Sequence, residues 1–136
     1  LATLAMPARA AAPSIEVYKA ATCSCCALWV SHLRTNGFDT HVIDVPRPAE
    51  MRRRAGLPDA VGSCHTAFVG GYAIEGHVPA REIKRLLAER PDAIGLAVPE
   101  MPVGSPGMER RGRFEPYDVL LVGRDGKRTV FASYGK

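Results

Sequence analysis

The sequence predicts a single α/β domain built on a mixed β-sheet, and three observations carry that reading. Short runs of alternating apolar and polar residues are interleaved with runs of helical period, the pattern of a layered α/β domain. The first elements read strand, helix, strand, an order that makes a parallel pair. Two later segments carry the turn signals Gly70-Gly71 and Asp125-Gly126 between apolar runs, so antiparallel hairpins join the sheet. At 136 residues, 46% of them hydrophobic, the chain can bury a core of its own and does not need disulfides to fold.

The elements follow in order. "IEVYK" (15–19) alternates as a short strand does. A turn holding Thr22 and three cysteines precedes "ALWVSHLRTNG", where Leu28, Trp29, His32 and Leu33 fall at helical spacing and Asn36-Gly37 closes the helix. Thr22 or Ser24 is the expected N-cap, which puts the cysteines on the first turn. "FDTHVIDV" (38–45) reads as a second strand, and Pro46 and Pro48 introduce a short basic helix through Ala55. "HTAFVGGYAIEG" reads as a hairpin, and "PAREIKRLLAER" as a helix with Ile83, Leu86 and Leu87 on one face. The stretch from Ala93 to Pro116 is rich in Pro and Gly and has no sustained period, so it reads as a long irregular loop. "YDVLLVGRDGKRTVFAS" makes the closing hairpin. Cysteines between the first strand and first helix, in this order of elements, predict a thioredoxin-like sandwich with a mixed sheet and an added C-terminal β-hairpin.

The predicted domain spans residues 15–136. Residues 1–14, "LATLAMPARAAAPS", read as a signal-peptide remnant or a flexible arm, because Ala8-Arg9-Ala10 has the small-x-small form of a cleavage site after an apolar run. No later segment approaches the ~20 apolar residues of a membrane helix. The expectation is an exported, periplasmic protein without membrane insertion. The net charge of +4 includes the clusters Arg52, Arg53, Arg54 and Arg110, Arg111, Arg113. No nucleic-acid motif accompanies them and acidic residues are interspersed, so they read as solvated faces and no nucleic-acid partner is expected.

The chemistry lies in "TCSCC" and "SCHT". Cys23, Cys25 and Cys26 fall within four positions, and Cys64 follows some forty residues later. Purely structural disulfides suit this spacing poorly. The Cα atoms of Cys25 and Cys26 sit about 3.8 Å apart, short of the disulfide range, and a Cys23–Cys26 bridge would staple little. A redox dithiol fits better, since Cys23 and Cys26 form a Cys-x-x-Cys at a helix N-terminus, where thiolate is favoured. Cys25 and Cys64 are then surplus. The start of the next core strand, "SCHTAFV", also lacks the proline that thioredoxin-like enzymes place beside their dithiol.

A metal site uses every thiol. Soft thiolates select Cu(I), zinc or iron–sulfur clusters. Adjacent Cys25 and Cys26 diverge by about 100° on a helix, which suits neighbouring metals joined by bridging sulfurs better than one tetrahedral zinc. Ferredoxin spacings are absent. Copper as Cu(I), as several ions, matches the residues best. His65 abuts Cys64 and is within reach of any site that uses it. His32 lies about 10 Å along the helix from Cys25 and is excluded. His77, in "EGHVP", is a cap or a ligand; isolated histidines are more often structural. Met101 and Met108 offer soft thioethers from the long loop, although Met more commonly fills gaps. No catalytic residue is assigned beyond the metal site.

Three segments, "VYKAATCSCCALWVSHLRTNGF", "SCHTAFVGGYAIEGHVPAREIKRLLAERPDAIGLAVPEMPVGSPGME" and "YDVLLV…GKRTVFASYG", resemble the small exported copper-resistance proteins of the CopG family. The resemblance runs from about Ile15 to Tyr134, with Cys-x-Cys-Cys, Ser-Cys-His-Thr and Gly-His-Val-Pro in order. The family often has Gly where Ser24 stands. The resemblance implies a thioredoxin-like fold and a copper–thiolate cluster with Cys23, Cys25, Cys26 and Cys64 as ligands. It also implies periplasmic copper handling by interconversion of Cu(I) and Cu(II), with copper ions and other periplasmic copper-handling proteins as partners. A copper chaperone or buffer without turnover needs the same ligands. A thiol–disulfide oxidoreductase would use Cys23 and Cys26 alone.

Overall fold

The computed structural model describes residues 2–5 and 13–136, so Ala8-Arg9-Ala10 lies outside the described residues. Strand β1 (Ser14–Lys19) leads into helix α1 (Ser24–Thr35), and β2 (Asp39–Asp44) returns parallel to β1. Helix α2 (Pro48–Arg54) and a 3-10 turn (Asp59–Val61) lead to the hairpin of β3 (His65–Val69) and β4 (Tyr72–Glu75). Helix α3 (Ala80–Glu89), strand β5 (Gly95–Ala97) and the hairpin of β6 (Tyr117–Val122) and β7 (Arg128–Tyr134) complete the chain. The seven strands make one sheet in the order β2-β1-β3-β4-β5-β6-β7. The pairs β1–β2 and β4–β5 are parallel and the other four are antiparallel. The chain is therefore an α/β protein with a mixed sheet and a C-terminal hairpin at its edge.

Three details differ from the sequence reading. The stretch from Ala93 to Pro116 is not irregular throughout, because β5 pairs with β4 on one side and β6 on the other. Three residues are too few to show a period. Gly95 also hides the strand: a Cβ there would collide with the Ala73 carbonyl, so the close pairing requires glycine. The N-cap of α1 is Cys23, not Thr22 or Ser24: its extended backbone places its sulfur to accept from the Cys26 N–H at 3.3 Å. Arg52 is not on a solvated face. It is buried, 3.1 Å from Asp59 and 3.5 Å from Glu75, while Arg53 and Arg54 remain exposed.

The sheet separates two apolar clusters. Alternation along β4 sends Tyr72 and Ile74 to the larger and Ala73 to the smaller. Helix α1 buries Cys26, Trp29, Val30 and Leu33, the i, i+3, i+4, i+7 stripe of an amphipathic helix. Leu33, fully buried with Ile83 and Leu86 of α3, contributes about 2 kcal/mol through its own side chain. The smaller cluster gathers Leu57, Val61, Ala97 and Val122. The face of α1 that carries Trp29 is therefore pinned, and with it the orientation of Cys26 one turn earlier.

No helix among the described residues is long and apolar enough to cross a membrane.

Candidate metal centre

Strand register brings the distant thiols together. β1 and β3 run antiparallel with Lys19 opposite His65, so the turn after β1 lies beside the residue before β3, which is Cys64. β3 and β4 pair with Thr66 opposite Glu75, which carries the chain beyond β4 back toward Cys64 at His77. Three strand ends thus deliver Cys23, Cys25 and Cys26, then Cys64 and His65, then His77, to one edge of the fold. The four cysteine sulfurs all lie within 4.8 Å of one another, and so do the donor atoms of Cys64, His65 and His77.

Cys23 and Cys26 are joined as a disulfide, while Cys25 and Cys64 are free. Cys25 Sγ lies 3.4 Å from Cys23 Sγ and 3.9 Å from Met101 Sδ. Two electrons and two protons open the bridge and make four thiols available. Two sulfurs bonded to one metal at about 2.3 Å sit roughly 3.7–4.6 Å apart, depending on the angle between them. The four sulfurs, within 4.8 Å of one another, are therefore near enough to share metal ions once the bridge opens.

The two imidazoles are oriented by backbone carbonyls. His65 donates its Nε2–H to the Gly76 carbonyl at 2.9 Å, which leaves the Nδ1 lone pair facing Cys26 Sγ and Cys64 Sγ, each at 3.3 Å. His77 donates Nδ1–H to the Pro106 carbonyl at 2.7 Å, which leaves Nε2 facing Cys64 Sγ at 3.2 Å. A carbonyl that holds one ring nitrogen while the other faces the centre is the usual arrangement for a metal-binding histidine. Both rings are buried, and His65 lies against Trp29 with ring centroids 4.3 Å apart. Trp29 is in turn fixed by its indole N–H donating to the Val78 carbonyl at 2.8 Å.

Burial holds Cys64, His65 and His77 in their neutral forms. Burial pushes the Cys64 thiol up to about 12, with Cys25 adding to the rise and the Ser63 hydroxyl opposing it. Cys64 is thus not an activated thiolate, because burial outweighs the Ser63 hydroxyl that favours the anion. Burial, followed by the neighbouring His77, lowers His65 to about 3, and burial also lowers His77. Neutral imidazoles offer lone pairs without repelling a cation.

The chain is similar to solved structures of known name. Two solved structures, Form 1 and Form 2 of the copper resistance protein CopG, are each 43% identical to the chain, with TM-scores of 0.85 and 0.86. Each match covers 90% of this chain and 98% of the other. The chain belongs to the CopG copper resistance family. Residues 61–108 also match the family described as "Protein of unknown function, DUF411". That segment runs from the 3-10 turn through Cys64, His65, His77, Met101 and Met108. No curated protein matches the chain.

The structure thus gathers Cys23, Cys25, Cys26, Cys64, His65 and His77 into two groups that share Cys64, with Met101 at the exposed side. Met108 is held in the same loop by backbone bonds with Gly104 and Ser105. His32 caps another helix, accepting from the Ala80 N–H at 3.0 Å through Nε2.

Sequence reasoning missed the support behind Cys64. Glu75 is fully buried and accepts from the Ser63 N–H at 2.8 Å and from the Thr66 hydroxyl at 2.5 Å. Ser63 donates from its hydroxyl to the Glu100 carbonyl. Arg52 faces the same carboxylate. A lone acid in the apolar "YAIEG" was the available signal, since a buried charge needs partners. Pro106 and Gly107 were missed as well. Gly107 has φ +91°, and a Cβ there would sit 2.8 Å from the Cys25 carbonyl and 3.1 Å from His77 Nδ1.

Proposed function

We propose that this protein binds copper as a thiolate-bridged Cu(I) cluster on Cys23, Cys25, Cys26 and Cys64. In this reading it interconverts Cu(I) and Cu(II) in copper resistance. The observation that carries the proposal is the convergence of four sulfurs within 4.8 Å at a point faced by two imidazole lone pairs. The family membership supplies the metal: the relatives are named copper resistance proteins. His65 and His77 are the additional donors, with Met101 and Met108 as soft donors from the loop above. The Cys23–Cys26 pair can also supply electrons. Closing the disulfide releases two electrons and two protons, enough to take two Cu(II) to two Cu(I). The β2-β1-β3-β4 order with α1 after β1 supports a thioredoxin-like frame. A periplasmic setting, with other copper-handling proteins as partners, goes with the leader-like start of the chain.

The test is anaerobic Cu(I) loading of fully reduced protein, with elemental analysis beside a free-thiol count. Several copper ions per chain with all four thiols protected is the expected result, and Cys64→Ser lowers the copper content while the circular dichroism spectrum holds. No retained copper, or unchanged content in Cys64→Ser, would overturn it.

A second reading rests on the Cys23–Cys26 bond at the N-terminus of α1, the place where a thiol–disulfide oxidoreductase keeps its dithiol. It requires insulin-type disulfide reduction by metal-free protein, lost in Cys23→Ser.

A further inference from the structure

Closing the Cys23–Cys26 bridge removes two of the four thiolates, yet it leaves another donor set untouched. Cys64 Sγ, His65 Nδ1 and His77 Nε2 lie within 4.8 Å of one another, with the sulfur 3.3 Å and 3.2 Å from the two nitrogens. Donors bonded tetrahedrally to one ion at about 2.0–2.3 Å are roughly 3.3–3.7 Å apart, so this set is close to the spacing of a single-metal site. Each ring is already held in the tautomer that aims a lone pair inward, His65 by Gly76 and His77 by Pro106. Neither carbonyl contact involves Cys23 or Cys26, so the bridge can close without releasing either ring.

The chemistry of this trio differs from that of the four-cysteine set. One thiolate and two imidazoles make a borderline donor set that suits divalent zinc, cobalt or Cu(II), whereas four thiolates favour soft Cu(I). Three protein donors leave a coordination position open.

We propose that Cys64, His65 and His77 form a separate one-sulfur, two-nitrogen site for a single divalent ion, filled while Cys23 and Cys26 are bridged. Opening the bridge by two electrons and two protons recruits the same Cys64 into the thiolate cluster. One disulfide thereby selects between one divalent ion and several monovalent ones. The bridged-state site needs only the trio and stands if the cluster reading fails. The selection step rests on that reading.

Redox-inert Co(II) is the probe, because it reports thiolate ligation by a charge-transfer band and does not oxidise Cys25. Bridged protein with two free thiols is titrated with Co(II) under argon. The expected result is one Co(II) per chain with a sulfur-to-metal band. The band persists in Cys25→Ser and disappears in Cys64→Ser, and binding weakens by at least about ten-fold in His65→Gln and His77→Gln. His77→Gln keeps the test decisive if the change at His65 unfolds the protein. No Co(II) binding until the bridge is reduced overturns the proposal, as does a band that follows Cys25. Failure of Cu(I) loading on the reduced protein, with Co(II) binding intact, would reject the cluster and leave this site standing.

Discussion

His77 Nε2 lies 3.2 Å from the Cys64 sulfur while Nδ1 of the same ring is tied to the Pro106 carbonyl at 2.7 Å. A loop far along the chain therefore sets the aim of a donor at the centre. Gly107, next to Pro106, packs against the first turns of α1 with no room for a methyl group and with a backbone that disfavours one. Gly107→Ala should lift the loop, free the His77 ring, and weaken Cu(I) binding about ten-fold in competition with a Cu(I) chelator. Unchanged affinity would show that the Pro106 contact does not orient the ligand.

Glu75 and Arg52 hold the segment before Cys64 from behind. The carboxylate has no solvent access, so removing Arg52 takes away its charged partner, whereas Arg52 without Glu75 keeps Asp59. Arg52→Ala should cost roughly 3–5 kcal/mol in urea unfolding. Glu75→Ala should speed alkylation of Cys64, because Ser63 loses its anchor. A loss under about 1 kcal/mol with an unchanged alkylation rate would show that the pair supports nothing.

The cap that His32 gives to α3 needs a neutral ring, since Nε2 accepts from the Ala80 N–H. Burial holds His32 below its ordinary 6.5, with Glu109 working the other way. The unfolded chain takes up the proton first as pH falls, so the stability tied to this ring is fully present above 6.5 and declines as pH drops through the folded value. His65 and His77, also depressed, act in the same direction. Denaturation of metal-free protein from pH 7.5 downward should show falling stability, with a shallower fall in His32→Gln. Identical slopes would remove His32 from the account.

Met101 sits 3.9 Å from Cys25 Sγ and is 45% exposed, at the open side of the centre. Met101→Leu keeps the apolar volume and removes the thioether. Thermal stability should hold while Cu(I) affinity falls by less than about ten-fold, since one neutral donor stands beside four thiolates. Affinity equal to the parent would make Met101 a packing residue.

Much of this was legible in the sequence where the signal was local. The period of α1, the glycine pair between β3 and β4, and the crowding of Cys23, Cys25 and Cys26 each follow from neighbouring residues. Three features were not. β5 is set by pairing partners on both sides rather than by its own three residues. Arg52 looks like its exposed neighbours, and its burial depends on meeting Asp59 and Glu75 in the folded chain. His77 reads as an isolated histidine until register sets it beside Cys64, since nothing within its own segment marks it as a donor.

The central claim is that these cysteines share several copper ions. X-ray absorption at the copper edge, on reduced and Cu(I)-loaded protein, tests it most directly. The account predicts a sulfur-dominated first shell and a short copper–copper scattering path, both diminished in Cys64→Ser. Sulfur ligation with no copper–copper path would mean isolated ions, and would contradict the cluster.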